Sequence, residues 1–376
     1  MLFVHAHPDD ESIVTGGTIA KLVRDGVPVT VLTCTRGERG DVIPDELRHL
    51  EGDLRALADH REIELADAMA ALGVTDHRFL GDADARWKGL EPRRYVDSGM
   101  EWGDDGVPVA LRPLDPDSLC AGDEADEARD VLAVIADTDA TSVITYDDHG
   151  GYGHPDHVRT HVIATWAAEE AGIPAYLITT TASSAREAHE LVAARGRFPA
   201  PDADPAGTLV LADDQVDLAV DASEVIDAKI RAIAAHRTQT VVDGDQFALS
   251  HGIGAPIAPV ELFRLHRPAG AAADDGTPRP RAARSGSARR SRRSCSACSW
   301  AWSPRPRTGR RSPWRGSRCR WASRSRSRRS RACWSRSGCS SSTACTRSAS
   351  GSAWSRPSRC SARAGRADPC CSPTTG

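Results

Sequence analysis

Short apolar runs alternate with longer amphipathic stretches along the first 268 residues. Leu2-Phe3-Val4, Pro28 to Thr35, Ser142 to Tyr146 and Ala175 to Thr179 are apolar or β-branched and of strand length, as in strands buried on both faces. Between them, Ile13 to Arg24, Asp45 to Leu72, Leu119 to Thr138 and His157 to Ala171 repeat apolar residues at roughly helical spacing. The 45–72 stretch reads as two helical pieces, the second opening at His60. Arg78 to Gly81 reads as a short strand with its exit loop. Later, Leu209 to Ala212, Val216 to Val220 and Pro259 to Leu265 read as strands, and Ser223 to His236 as a helix. The Ala- and Pro-rich stretch 180–206 predicts no definite element. This βα alternation predicts an α/β fold: a Rossmann-like, mostly parallel, doubly wound sheet with helices on both faces.

The first candidate site is His5-Ala6-His7-Pro8-Asp9-Asp10-Glu11-Ser12. It falls between the first strand and the first helix, at the rim where open α/β sheets place their ligands. Adjacent Asp9 and Asp10 raise each other's pKa unless a cation neutralises them. His7 and Asp10 suit zinc as nitrogen and oxygen donors, which leaves Asp9 free beside it. The bland alternative is a solvated acidic loop with Asp10 or Ser12 capping the next helix. A second loop, Asp147 to His157, follows the Ser142–Tyr146 strand and opens another helix. It repeats the His-Pro-Asp core at His154-Pro155-Asp156, and His154 and His157, three apart at a helix start, can face the same way. The two loops together supply three ligands with acid and base groups to spare.

These motifs, with Thr33-Cys34-Thr35 and Gly37-Glu38-Arg39-Gly40, closely resemble the PIG-L/LmbE-like zinc N-deacetylases. Asp97-Ser98-Gly99-Met100 and Ala235-His236-Arg237-Thr238-Gln239 resemble the branch acting on N-acetylglucosaminyl-inositol in mycothiol biosynthesis. The resemblance covers about residues 1–268. It implies a zinc site at His7, Asp10 and His157, a set that ferrous iron also accepts. It implies Asp9 as general base, His154 as oxyanion donor and Tyr152 as an assisting group. It further implies that Arg61 and Asp97 bind the sugar and inositol; read bare, Arg61 is a surface arginine pairing with Glu62 or Glu64. His236 reads as a structural cap, and Arg36, Glu38 and Arg39 as salt-bridging rim residues. Trp87, Tyr95 and Trp102, in the long stretch 82–118, suggest a wall over the sugar. Three rivals stand against this. A mycothiol-conjugate amidase of the same fold would carry a lysine where this chain has Val14. An iron oxygenase would share the two-His, one-carboxylate set, against the βα alternation. A sugar-binding module would have no need of Asp9.

Composition divides the chain. The formal charge is −4, yet residues 276–376 hold 25 Arg against one Asp, so +24 lies there and −28 before it. The acidic part argues against a nucleic-acid partner and for a soluble, well-hydrated enzyme; the small-molecule amino-sugar substrate is what the resemblance implies. It contains Cys34 and Cys120 alone, which implies no disulfide framework and fits a reducing cytoplasm. No signal peptide precedes Leu2, and no run has transmembrane length. The expected domains are a metal-dependent deacetylase domain over 1–270 and a low-complexity tail over 271–376. Residues 276–376 use nine amino-acid types, with no Leu, Ile, Val, Met, Phe or Tyr, and so form no ordinary core. A basic Arg/Ser arm is one reading. The other is a GC-rich gene read one base out of frame, which turns leucine and valine codons into cysteine and tryptophan codons.

Overall fold

The central sheet runs, edge to edge, β3-β2-β1-β6-β7-β12-β8. Its strands are β1 (Leu2–His5), β2 (Thr30–Thr33), β3 (Asp76–Phe79), β6 (Val143–Thr145), β7 (Ala175–Thr179), β8 (Leu218–Asp221) and β12 (Val260–Leu265). The first five to pair, from β3 to β7, are parallel, and β12 lies antiparallel to both of its neighbours. This computed structural model describes residues 1–102, 108–202 and 210–267. The expected tail over 271–376 lies outside the described residues.

Alternation along β1 shows why the sheet is doubly covered. Leu2 and Val4 face one side, where Val131, Val134 and Ile135 of α4 (Glu124–Asp137) and Ile163, Ala164 and Ala167 of α5 (Pro155–Ala171) pack on them. Phe3 faces the other side, with Ile19 of α2 (Gly16–Arg24), Leu65, Met69 and Leu72 of α3 (Leu54–Leu72) and Ala232 of α7 (Ile226–Ala235). Each of these buried Val, Leu, Ile, Phe and Met side chains contributes about 1.5–3 kcal/mol. A one-residue slip of β1 would exchange the two sets.

Several elements differ from the expectations. The 13–24 helix divides into α1 (Asp10–Val14) and α2 around Thr15. The 45–72 stretch breaks at 51–53 rather than at His60: a 3₁₀ turn covers Asp45–Leu50, and α3 starts after Asp53, whose side chain accepts from the Ala56 amide. The 180–206 stretch contains α6 (Ala182–Arg195), capped by Thr181 and Ser184 in a reciprocal box. Among the described residues of 209–212 there is a single bridge, Thr181 to Leu211, in place of a strand. Within 82–118 lies an antiparallel pair, β4 (Met100–Trp102) and β5 (Pro108–Ala110), and 241–256 forms a three-stranded antiparallel sheet of β9 (Val241–Asp243), β10 (Gln246–Ala248) and β11 (Gly254–Pro256). Tyr95 does not wall a ligand site. It is buried in the α4 side of the core, its hydroxyl donating to Asp130 Oδ2 at 3.3 Å.

The strand order reverses between β1 and β6. From β1 the chain winds outward to β2 and β3, then returns to β6 and proceeds to β7. The loops leaving β1 and β6 therefore diverge, and the crevice between them is the topological switch point. Both His-Pro-Asp loops occupy that crevice.

Candidate metal and active centre

The two loops are joined through one carboxylate oxygen. Asp10 Oδ2 accepts from the His7 amide at 3.0 Å and from the Tyr146 hydroxyl at 2.6 Å. It also lies 3.4 Å from both His7 Nδ1 and His157 Nε2. Tyr146, immediately after β6, stacks on the His157 ring with centroids 4.2 Å apart. Its hydroxyl accepts from the Ala6 amide at 2.8 Å. Residues from two strands that are neighbours only in space thus fix the geometry.

Each histidine is committed on its far side. His157 Nδ1 donates to the Gly150 carbonyl at 3.1 Å. Gly150 must be glycine for this approach: its φ is 69°, and a Cβ there would come 2.8 Å from the Cβ of His157. His7 Nε2 donates to Asp156 Oδ2 at 3.3 Å, with Asp97 Oδ1 3.7 Å away. In these tautomers His7 Nδ1 and His157 Nε2 turn lone pairs toward Asp10. His157 Nε2 is buried with no hydrogen-bond partner, an arrangement that costs energy unless a cation stands between the nitrogen and the carboxylate. The donor set is nitrogen, nitrogen and oxygen, with outer partners that orient the rings, and it fits a divalent metal. By mutual distance of their ligand atoms, the groups close enough to share an ion among the described residues are His7 with His154 and His157, and His7 with Asp97 and Asp156. The first group is the weaker fit, because His154 Nδ1 already accepts from the Asp156 amide at 3.1 Å. The second is weaker too, because Asp156 accepts from the Ser98 amide at 2.9 Å and the Cys120 thiol at 3.1 Å.

The electrostatics demand positive charge here. Burial opposes protonation of His7, yet Asp97, Asp10 and Asp156 around it raise its pKa well above the ordinary value. Either a proton on His7 or a bound cation satisfies them. Burial and the adjacent Asp10 charge push Asp9 up to about 8; a cation at the neighbouring ligands reverses the second effect. Among the described residues none hydrogen-bonds the Asp9 carboxylate, so it is free to take a proton. Asp9 also has φ 121° and ψ −33°, a strained conformation for a residue with a Cβ, worth about 1–3 kcal/mol.

His154 caps α5 through Nδ1, so in its neutral form the hydrogen sits on Nε2. Burial, His7 and His157 lower its pKa to about 2. With Nδ1 accepting from the Asp156 amide, the neutral ring presents Nε2–H as a donor without a second proton. Tyr152 is 54% exposed in the glycine loop, its ring 5.2 Å from that of His157.

Arg61 is not a surface residue. It is 1% exposed, and its guanidinium donates to the Gly37 carbonyl, to the Asp41 carbonyl at 2.9 Å and to Thr238 Oγ1 at 3.3 Å. A Cβ on Gly40 would sit 2.5 Å from it. Arg61 therefore holds the rim loop after β2 from behind. Asp97 is buried and within the site, accepting from the Gly99 amide at 2.7 Å and the Arg39 amide at 3.3 Å. The rim residues pair as expected: Arg36 with Glu62 and Asp82, Arg39 with Asp115, and Glu38 with Arg94. His236 is not a simple helix cap; its Nε2 lies 2.9 Å from Glu11 Oε1, both side chains fully buried. Tyr146, Asp156 and Gln239 carry roles that the motif reading did not assign. The repeated His-Pro-Asp core was the available signal for Asp156, and the Ala235–Gln239 match marked Gln239 without giving it a partner; Tyr146 had no signal.

The chain matches known proteins over the residues that build this centre. The family model described as GlcNAc-PI de-N-acetylase, PIG-L, matches residues 2–168. Over 284 residues the chain is 40% identical to a 1D-myo-inositol 2-acetamido-2-deoxy-alpha-D-glucopyranoside deacetylase of a Nocardioides species, covering 70% of this chain and 91% of that one. Over 278 residues it is 44% identical to a protein of the same name from Actinosynnema mirum, again covering 70% and 91%.

Proposed function

Since this chain belongs to the PIG-L family of N-deacetylases, we propose that it hydrolyses the N-acetyl group of N-acetylglucosaminyl-inositol, releasing acetate and the free amine. The match covers 91% of each of two relatives of that name, and the product is the amino sugar of mycothiol biosynthesis. The observation that carries the chemistry is the unpartnered His157 Nε2 facing Asp10 beside the free carboxylate of Asp9.

His7, Asp10 and His157 would hold the metal, zinc being the ion that suits this donor set and ferrous iron the alternative. Such an ion supplies Lewis acidity, polarising the acetamide carbonyl and lowering the pKa of a water to about 7. Asp9 accepts the proton of the water whose oxygen attacks the carbonyl carbon. His154 Nε2–H donates to the oxyanion as charge develops there. Asp9 then delivers its proton to the amine nitrogen as the C–N bond breaks, so the carboxylate is regenerated. Tyr152, exposed at the mouth, closes over the acetamide as a further donor. Asp97 keeps free lone pairs on both oxygens for sugar hydroxyls. Arg61 acts on the inositol side by holding the Gly37–Asp41 rim in place.

The substrate is a small, water-soluble amino sugar. No helix among the described residues is long and apolar enough to cross a membrane, and Cys34 and Cys120 are free thiols; a cytoplasmic enzyme fits both. Amine release from N-acetylglucosaminyl-inositol, N-acetylglucosamine and a mycothiol S-conjugate tests the reading. The inositol-bearing sugar should give the highest kcat/KM. Preference for the conjugate would assign the amidase activity instead.

A further inference from the structure

The strained backbone of Asp9 is held by neighbouring Glu11 together with residues more than 220 positions away. The peptide between Pro8 and Asp9 is gripped at both edges. Its carbonyl accepts from Gln239 Nε2 at 2.6 Å, and its N–H donates to Glu11 Oε2 at 3.1 Å. The other oxygen of Glu11 takes the Ser12 hydroxyl at 2.6 Å and His236 Nε2 at 2.9 Å. Glu11, Ser12 and His236 are fully buried. Thr238, between His236 and Gln239, is tied back to α3: its amide and hydroxyl donate to Glu64 at 2.8 and 2.6 Å, and its oxygen accepts from Arg61. Residues 236–239 thus stand on α3 and clamp the loop that leaves β1.

We propose that His236 and Gln239 are positioning residues for the deacetylation, keeping the Pro8–Asp9 peptide in the orientation that aims the Asp9 carboxylate at the attacking water. The proposal rests on the deacetylase reading above. Relaxing φ of Asp9 from 121° toward the helical region near −60° turns its Cα–Cβ bond by roughly half a turn about N–Cα. The carboxylate would then leave the side of the site on which the metal ligands converge. Adjacent Asp9 and Asp10 divide into base and ligand because this one backbone angle separates them. Gln239 is suited to the task because a carboxamide offers a donor to the Pro8 carbonyl without adding charge beside two carboxylates.

The test uses the full-length, metal-loaded enzyme with Gln239→Met, which keeps the volume and lacks the donor, and Gln239→Ala as a second variant. Both should lose tenfold or more of kcat on N-acetylglucosaminyl-inositol, with KM and metal content near wild type. Added to Asp9→Asn, Gln239→Met should cost less than twofold further, because both changes act through one carboxylate. A crystal structure of Gln239→Met should show φ of Asp9 moved out of the positive region. Wild-type kcat in both variants, an undiminished penalty in the Asp9→Asn background, or an unmoved Asp9 would overturn the proposal. A wild-type enzyme that releases no acetate would remove the deacetylase reading instead, and the position of Asp9 in the variant would still decide whether Gln239 holds it.

Discussion

His157 Nε2 and Asp10 Oδ2 lie 3.4 Å apart, and because Nδ1 donates to the Gly150 carbonyl at 3.1 Å, a singly protonated ring places no hydrogen between them. Two lone-pair centres face each other in a buried site. A cation is what makes that arrangement favourable, and His7 Nδ1, also 3.4 Å from the same oxygen, completes the set.

His157→Ala removes one of three donors and should abolish stoichiometric metal in elemental analysis. In the wild type, the carboxylates around His7 raise its pKa, so metal must displace a proton from that ring at neutral pH. Calorimetry in buffers of different ionisation enthalpy should therefore show proton release on metal uptake, and metal affinity should fall as pH is lowered. Full metal content in the alanine variant would take His157 off the ligand list.

Arg61→Lys replaces a planar fork with a point charge that cannot reach the Gly37, Asp41 and Thr238 oxygens together. Buried carbonyls left without donors should cost about 1–3 kcal/mol, seen as a lower melting temperature. With the rim loosened, KM should rise more for N-acetylglucosaminyl-inositol than for N-acetylglucosamine. Equal rises on both would show that the rim does not read the inositol side.

Glu127 is fully buried with neither carboxyl oxygen hydrogen-bonded, and Arg159 NH1 stands 3.5 Å away. Burial pushes its pKa from an ordinary 4.5 to about 8. The folded protein therefore keeps a proton that the unfolded chain releases once pH exceeds 4.5. The stability this confers is complete below that pH and is lost as pH rises through about 8. Glu127→Gln should match wild type in thermal unfolding near pH 5 and exceed it by several degrees near pH 9. A difference that does not change with pH would mean the carboxyl titrates normally.

The two His-Pro-Asp loops were legible because each is a local sequence signal: a strand, a His-Pro-Asp core, then a helix start. The strands β1, β6 and β7 were legible for the same reason, being apolar runs bounded by turns. What stayed hidden depends on contacts between distant residues. Nothing near Gln239 indicates that it meets the Pro8 carbonyl. Tyr146 resembles any strand-end aromatic until its hydroxyl is seen between Ala6 and Asp10. The burial of Arg61 depends on a loop 20 residues earlier folding over it. Helix α6 escaped because its capping box uses Ser184 where a Glu or Gln is the usual sign, and the start of α3 escaped because Asp53 follows a glycine that reads as loop. Tertiary packing decides such positions.

The division of labour between Asp9 and Asp10 is the centre of this account, and paired Asn variants measure it directly. For each, metal content by elemental analysis and kcat on N-acetylglucosaminyl-inositol are determined on the same preparation. Asp9→Asn should keep wild-type metal and lose roughly 10²–10⁴ of kcat, the usual worth of a general base, with little change in KM. Asp10→Asn should lose metal and activity together. Metal loss in Asp9→Asn with metal kept in Asp10→Asn would reverse the two roles, and a wild-type rate in Asp9→Asn would contradict the mechanism.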